Sequence, residues 1–416
     1  MPLFKCLIVV FSFSVFQVNA SISLAFKVTE QGYWYAKAYN NDPLIPSDVL
    51  YRSGEDLCQI MSPAETICFL SGILRKDHPV LSKLNLYGYV KNKKLKIPEK
   101  DIFSLRSDSL LLSRSFVENN KLLFEKIRKF WGVTKNAHIY CFYSRLGEKQ
   151  SYSSGFCLEN FVHGNDVYVI ILMCCPSLAS QRMKLNKQLS VVAHEFSHAM
   201  CNAAYGQEKF ETLISKIPSK NAIVVSWYLN EALAIVLGNG LVQETLSRKK
   251  VDLKKEEYCV RGFASALYEI TKDYFDNSKT IDDVFLEKAV KIFDRVCPNG
   301  YMDPNICLKK VSVICPNFIS ERDLFFKLSE KIHISWFYYT NFSKLTDDEI
   351  KYTQTTNETI MVIFRDKKQL KVLNNLLPLF DDKAPISIIH KNKRTYVLIK
   401  IDDKHSLDDR INELFS

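Results

Sequence analysis

Residues 194–200 read His194-Glu195-Phe196-Ser197-His198-Ala199-Met200. On a helix, positions four apart lie on one face, one turn above the other. His194 and His198 would therefore stand side by side, with Glu195 next to the first. Leu189, Val192, Phe196 and Ala199 recur at the spacing of a buried stripe. No proline interrupts before Tyr205, so the spacing predicts a helix over about 186–205, with Asn186 as its N-cap. Just upstream, the apolar run Asp166–Cys174 reads as a strand.

Two imidazoles at this spacing converge on one zinc ion. The metal lowers the pKa of a bound water, and Glu195 can accept that proton as general base. A third ligand is needed. In Trp227-Tyr228-Leu229-Asn230-Glu231-Ala232-Leu233-Ala234, one carboxylate sits in an otherwise apolar helix expected over 226–237. Burying a carboxylate there is costly unless it is paired or bound to metal, which makes Glu231 the best third ligand. Gly238 is expected to end that helix. Cys201, three residues beyond His198, is a rival ligand, although a Cys so placed is more often simply buried.

HEFSHAM (194–200) followed by WYLNEALA (227–234) resembles the gluzincin metallopeptidases of the broad MA-like group. The likeness covers roughly residues 115–275. It implies a zincin-like domain in an α+β fold, one Zn2+ per chain held by His194, His198 and Glu231, and hydrolysis of a peptide or protein substrate. The segment Tyr258–Tyr268 resembles a third helix flanking such a site, and Tyr258 is the favoured donor to the oxyanion. Tyr268 and His163 are further candidates for that role. The resemblance also implies that the strand 166–173 could pair with an extended peptide; its continuous apolar run equally fits a fully buried strand.

This sequence departs from the family pattern in several places. The spacer between His198 and Glu231 is 32 residues, longer than in thermolysin-like enzymes. Ile235 stands where thermolysin carries an Asp that orients a His ligand. Ala232 replaces the commoner Gly, and the usual register of the third helix would put Cys259 at the Tyr position. No upstream G-x-M-E-N stretch of the aminopeptidase type occurs. Two other readings fit the same residues, an inactive binding protein on this scaffold and a zinc amidase acting on cell-wall peptides.

The chain of 416 residues opens with Lys5, an apolar run from Cys6 to Phe16, and Val18-Asn19-Ala20. This pattern reads as a signal peptide over 1–20, giving a secreted or periplasmic protein with no stable membrane insertion after cleavage. Eleven of twelve cysteines follow Ala20. In an oxidising compartment they predict disulfides, with Cys58–Cys68 and a bridge within 297–315 as plausible pairs and one thiol left over.

Outside the motif region, 21–110 reads as a mixed N-terminal region and 111–295 as the catalytic domain. A helix is expected over 115–131, ended by Gly132. A Cys- and Pro-containing connection over 295–317 leads to a small α/β domain over 318–416, with strands at 358–364, 385–390 and 395–401. The net charge of +10 is spread along the chain, with no signature of a nucleic-acid reader. The densest cluster, Arg248–Glu257, reads as a solvated helix face.

Overall fold

The computed structural model describes residues 22–27, 114–145, 154–175, 185–253, 259–332, 334–346, 348, 349, 351, 357–365, 368, 369 and 384–416. The fold mixes α and β. The expected signal peptide, most of the 21–110 region and the Cys58–Cys68 pair lie outside the described residues.

The first sheet is built from β1 (Ile22–Lys27), β2 (Asn136–Arg145), β3 (Ser154–His163) and β4 (Asp166–Cys175), in the order β1-β2-β4-β3. Strands β1, β2 and β4 are parallel, and β3 runs antiparallel to β4. The β3–β4 hairpin turns at Gly164, whose φ of 59° suits a residue without Cβ. Strand β4 is thus paired on both sides, which accounts for its apolar run; Val167, Val169, Ile170, Ile171 and Met173 are all buried. The edge next to the motif helix is β3, so an extended partner strand would have to pair there and not on 166–173.

Before β2 come α1 (Arg114–Asn119) and α2 (Lys121–Phe130), the expected helix broken at Asn120. Gly132, at φ 72°, ends α2 in a Schellman arrangement: its N–H bonds to Lys129 O and Val133 N–H to Arg128 O. Helix α3 (Leu185–Tyr205) carries the motif. Its stripe Leu189, Val192, Phe196 and Ala199 is fully buried, with Phe196 edge-on to Phe124 of α2. Asn186 does not cap α3. It lies inside the helix and donates to Leu246 O at 3.0 Å, tying α3 to a distant helix end.

After α4 (Gln207–Ser215), α5 (Ala222–Ala234) continues without a break into a π-helical segment, Ile235–Val242, and then α6 (Gln243–Ser247). Gly238 therefore does not end the helix. With no Cβ, it lets the rod pass close to α3 while the chain stays helical. The rod Ala222–Ser247 is long and apolar enough to cross a membrane by length and composition, which corrects the expectation that no segment after the N-terminal run would be, but most of it is buried inside the protein. Arg248, at φ 54°, ends α6, so residues 248–253 form turns instead of the expected helix face.

Helices α7 (Cys259–Asp276), α8 (Asp283–Val296) and α9 (Pro304–Cys307) complete the helical layer. The second sheet joins β5 (Lys310–Cys315), β6 (Trp336–Asn341), β7 (Thr359–Phe364), β8 (Ile386–Lys391) and β9 (Arg394–Lys400) in the order β6-β5-β7-β9-β8. All pairs are parallel except β8–β9. Helices α10 (Glu321–Ser329) and α11 (Leu407–Leu414) accompany it; a Ser406–Asp409 capping box opens α11. Strand β5 lies inside the stretch read as a connection, so the second sheet begins earlier than 318.

The two sheets share one hydrophobic core, in which Val313, Val397 and Ile399 join Phe196 and Leu233 in a single cluster. Polar links reinforce it. Tyr228 of α5 donates to Ile306 O at 3.1 Å, and Lys310 pairs with Glu211 at 2.6 Å. Cys307 and Cys315 are buried free thiols, so no bridge forms within 297–315. Burial pushes both thiols up, Cys307 to about 12 and Cys315 to about 11, which leaves them poor nucleophiles.

Candidate metal centre

His194 and His198 share one face of α3, and α5 lays Glu231 across them. The Nε2 atoms of the two imidazoles are 3.2 Å apart. Glu231 Oε2 lies 3.1 Å from His198 Nε2, and Oε1 lies 3.5 Å from His194 Nε2. One ligand atom from each residue falls within 4.8 Å of the others. All three predicted ligands are thus brought together, although 32 residues separate His198 from Glu231.

This donor set fits zinc. Two neutral imidazole nitrogens and one carboxylate oxygen are a common zinc complement, and three protein ligands leave a fourth position for a reactant. Glu231 keeps 39% of its side chain exposed, so the site opens to solvent on the carboxylate side. Glu195 is only 8% exposed, and its charge acts on His198.

The electrostatics follow from burial and from the carboxylate. Burial pushes His194 down to about 4, against the opposing pull of Glu231. Burial alone would also lower His198, but the hydrogen bond and charge of Glu231 outweigh it and raise this imidazole above its ordinary 6.5. Glu231 would be raised by burial. The His198 hydrogen bond and the two imidazoles reverse this and hold it well below the usual carboxylate range. Burial thus favours a neutral His194, while the Glu231 carboxylate favours the charged form of His198.

The surroundings hold the ligands in place. Asn230 Oδ1 accepts from His198 Nδ1 at 3.2 Å, which directs Nε2 at the carboxylate. Asn230 is not among the residues expected to form the site. Its only signal in sequence is its place before Glu231. Nδ1 of His194 is buried and makes no well-formed hydrogen bond, while the Ala234 carbonyl acts on the ring. Ile235 supplies no carboxylate to this histidine and is buried in the core. Trp131 Nε1 donates to Ser197 Oγ at 3.0 Å, fixing α3 from behind the motif.

The π segment explains how so close an approach is made. A Cβ on Gly238 would lie 2.5 Å from His194 N and 2.6 Å from its Cα. Contact this tight is open only to glycine. π-helical turns inside α-helices recur at functional sites.

The other candidates fare differently. Tyr258 lies outside the described residues. Tyr268 donates its hydroxyl to Glu244 and is pushed far up, by burial first and by that carboxylate second. His163 closes the β3–β4 hairpin opposite Asp166. Cys201 is buried, its thiol pushed far up by burial, and takes no part in the ligand cluster. Sequence reading missed two cations. Arg261 of α7 acts on His194, and Lys309, whose Nζ lies 4.2 Å from the centre of the Tyr228 ring, acts on Glu231.

No family model matches this chain, and no match is found among curated proteins or solved structures.

Proposed function

We propose that the protein is a zinc-dependent peptidase of the gluzincin type, its zincin-like domain formed by the first sheet and helices α2 to α7. The observation that carries this reading is the convergence of His194, His198 and Glu231, with Glu195 one residue beyond the first ligand. When bound, zinc would supply a Lewis acid that acidifies water and polarises a carbonyl.

The chain's own groups do the rest. His194 and His198 offer Nε2 atoms that are already aimed at one point. The Glu195 carboxylate takes up a proton during attack on the amide and returns it to the leaving nitrogen. Edge strand β3 lies beside α3 with no further strand beyond it among the described residues, and its main chain can hold an extended substrate. Export of this activity is part of the same proposal and is supported by the reading of residues 1–20 as a signal peptide.

The test pairs metal content with cleavage. Wild-type protein should hold about one zinc per chain by elemental analysis, and Glu231→Ala should lose it. Wild type should cleave peptides from a random pool, and Glu195→Gln should bind zinc but not cleave. Absence of zinc from wild type under chelator-free conditions would remove the metal assignment. Zinc without cleavage would instead point to a binding protein on the same scaffold.

A further inference from the structure

We propose that the cleft between the end of α6 and the middle of α7 binds a phosphate-bearing anion. The cleft is a solvent-open depression of about 300 Å3, the lower end of the range for small-ligand sites. Arg248, Lys249 and Lys250 line it from the turn after α6, and Tyr268, Glu269 and Lys272 line it from α7. The inference rests on no part of the peptidase reading.

The turn is held in place from beneath. Glu244 Oε1 accepts from Val251 N at 2.7 Å, and Oε2 accepts from the Tyr268 hydroxyl. This carboxylate is therefore occupied, and it clamps the turn onto α7. Ser247 Oγ accepts from Lys249 N at 3.3 Å within the same turn. Arg248 sits at φ 54°, a region a side chain enters only when its surroundings impose it. Here it closes α6, with Arg248 N donating to Glu244 O at 2.7 Å, and three successive cations follow at the cleft.

Among the described residues, Arg248, Lys249 and Lys250 make no ion pair, whereas Lys272 is taken up by Asp276 at 2.5 Å. Glu269 is the one lining carboxylate not occupied by the turn. Three unpaired cations against two lining carboxylates, Glu244 and Glu269, leave a net positive charge that suits a small anion. A guanidinium and two ammonium groups match the oxygens of a phosphate. Glu269 opposes an extended polyanion, so the fit is to one phosphate or pyrophosphate group, either free in solution or on a lipid head.

The experiment uses metal-free full-length protein, so that chelation cannot imitate binding. Inorganic pyrophosphate is titrated calorimetrically, with sulfate at matched ionic strength as control. Sedimentation with phosphatidic acid vesicles, against phosphatidylcholine vesicles, tests the lipid source. The variant Arg248→Asn/Lys249→Gln/Lys250→Gln removes the charges while keeping a residue that accepts positive φ, and unchanged circular dichroism confirms its fold. Wild type should bind pyrophosphate or phosphatidic acid vesicles in preference to the controls, and the variant should bind at least tenfold more weakly. Binding of pyrophosphate assigns a soluble ligand; binding of vesicles alone assigns a lipid head. Failure to bind either probe, or equal binding by the variant, would overturn the proposal.

Discussion

Gly238 of the π segment packs directly onto the backbone of His194, and a methyl group in its place would meet His194 N at 2.5 Å. Neither partner can yield cheaply, because both sides of the contact are helix backbone. Gly238→Ala should therefore destabilise the fold by about 1–3 kcal/mol, the usual cost of overpacking. It should also push α3 away from α5 and weaken zinc binding at least tenfold. Gly240 is the internal control. A Cβ there meets Leu253 Cδ1 and Tyr268 Cε2 at 3.5 Å, ordinary contact. Gly240→Ala should be neutral or stabilise by up to about 1 kcal/mol, since alanine favours helix. Urea melts and zinc titrations of the two variants test the contrast; equal behaviour would show that the close approach does not matter.

Asn230 orients His198 through a single acceptor, Oδ1 at 3.2 Å from Nδ1. Loss of such a partner typically costs about 10–100-fold in metal affinity, because the imidazole no longer holds its tautomer and direction. Asn230→Ala should show this loss with little change in urea midpoint, as Asn230 is only partly buried. Asn230→Asp keeps an acceptor and should keep the affinity. If Asn230→Ala binds zinc like wild type, the hydrogen bond has no part in building the site.

The titration of the two histidines sets how zinc uptake depends on pH. Metal binding needs both imidazoles neutral. His194 already is so above about 4, because burial opposes its charge. His198 is held protonated to a pH above 6.5 by Glu231, against the effect of burial. Near neutrality the competing proton is thus on His198 alone. Affinity should rise by about tenfold per pH unit while His198 titrates and flatten above its pKa. About one proton should be released per zinc on the acid side of that pKa, measurable by calorimetry in buffers of different ionisation enthalpy. Glu231→Gln removes the group that raises His198 and should lower the pKa of that imidazole, read by NMR titration of the metal-free protein.

The His194, His198 and Glu231 cluster was legible because its members lie in local patterns. Two histidines four apart need only a helix, and a lone carboxylate in an apolar helix signals its own cost. What was not legible depends on register and on distant partners. The helix holding Glu231 runs through Gly238 because His194 backbone occupies the space a side chain would need, and no local pattern encodes that. Asn186 resembles an N-cap, but the chain is already helical before it, and its amide finds Leu246 instead. Arg248–Glu257 resembles a charged helix face in composition, yet its first residues are drawn into a turn by Glu244. The second sheet begins at Lys310 inside a Cys- and Pro-containing stretch that looks like a linker. Strand β5 is short, and pairing with β6 and β7 on either side stabilises it more than its own propensity does.

Asn221 ties the start of α5 to the end of α8 and the turn that follows it, and so tests the packing that leads into the second sheet. It is 2% exposed, at the N-terminus of α5. Its Nδ2 donates to Asp294 Oδ1 at 2.8 Å and to Cys297 O at 3.1 Å, while Oδ1 accepts from Tyr301 N at 2.8 Å. Asn221→Ala would leave the Tyr301 N–H buried without its acceptor and Asp294 short of a donor. Each such loss costs about 1–3 kcal/mol, so a destabilisation of about 2–4 kcal/mol is expected. Asn221→Asp keeps the acceptor for Tyr301 but sets a second carboxylate against Asp294. It should be worse than alanine at pH 7 and recover toward wild type as pH falls and one of the two carboxylates takes up a proton. Because the core is continuous across both sheets, each variant should lower one cooperative urea transition. Two separated transitions would instead show that the second sheet unfolds on its own.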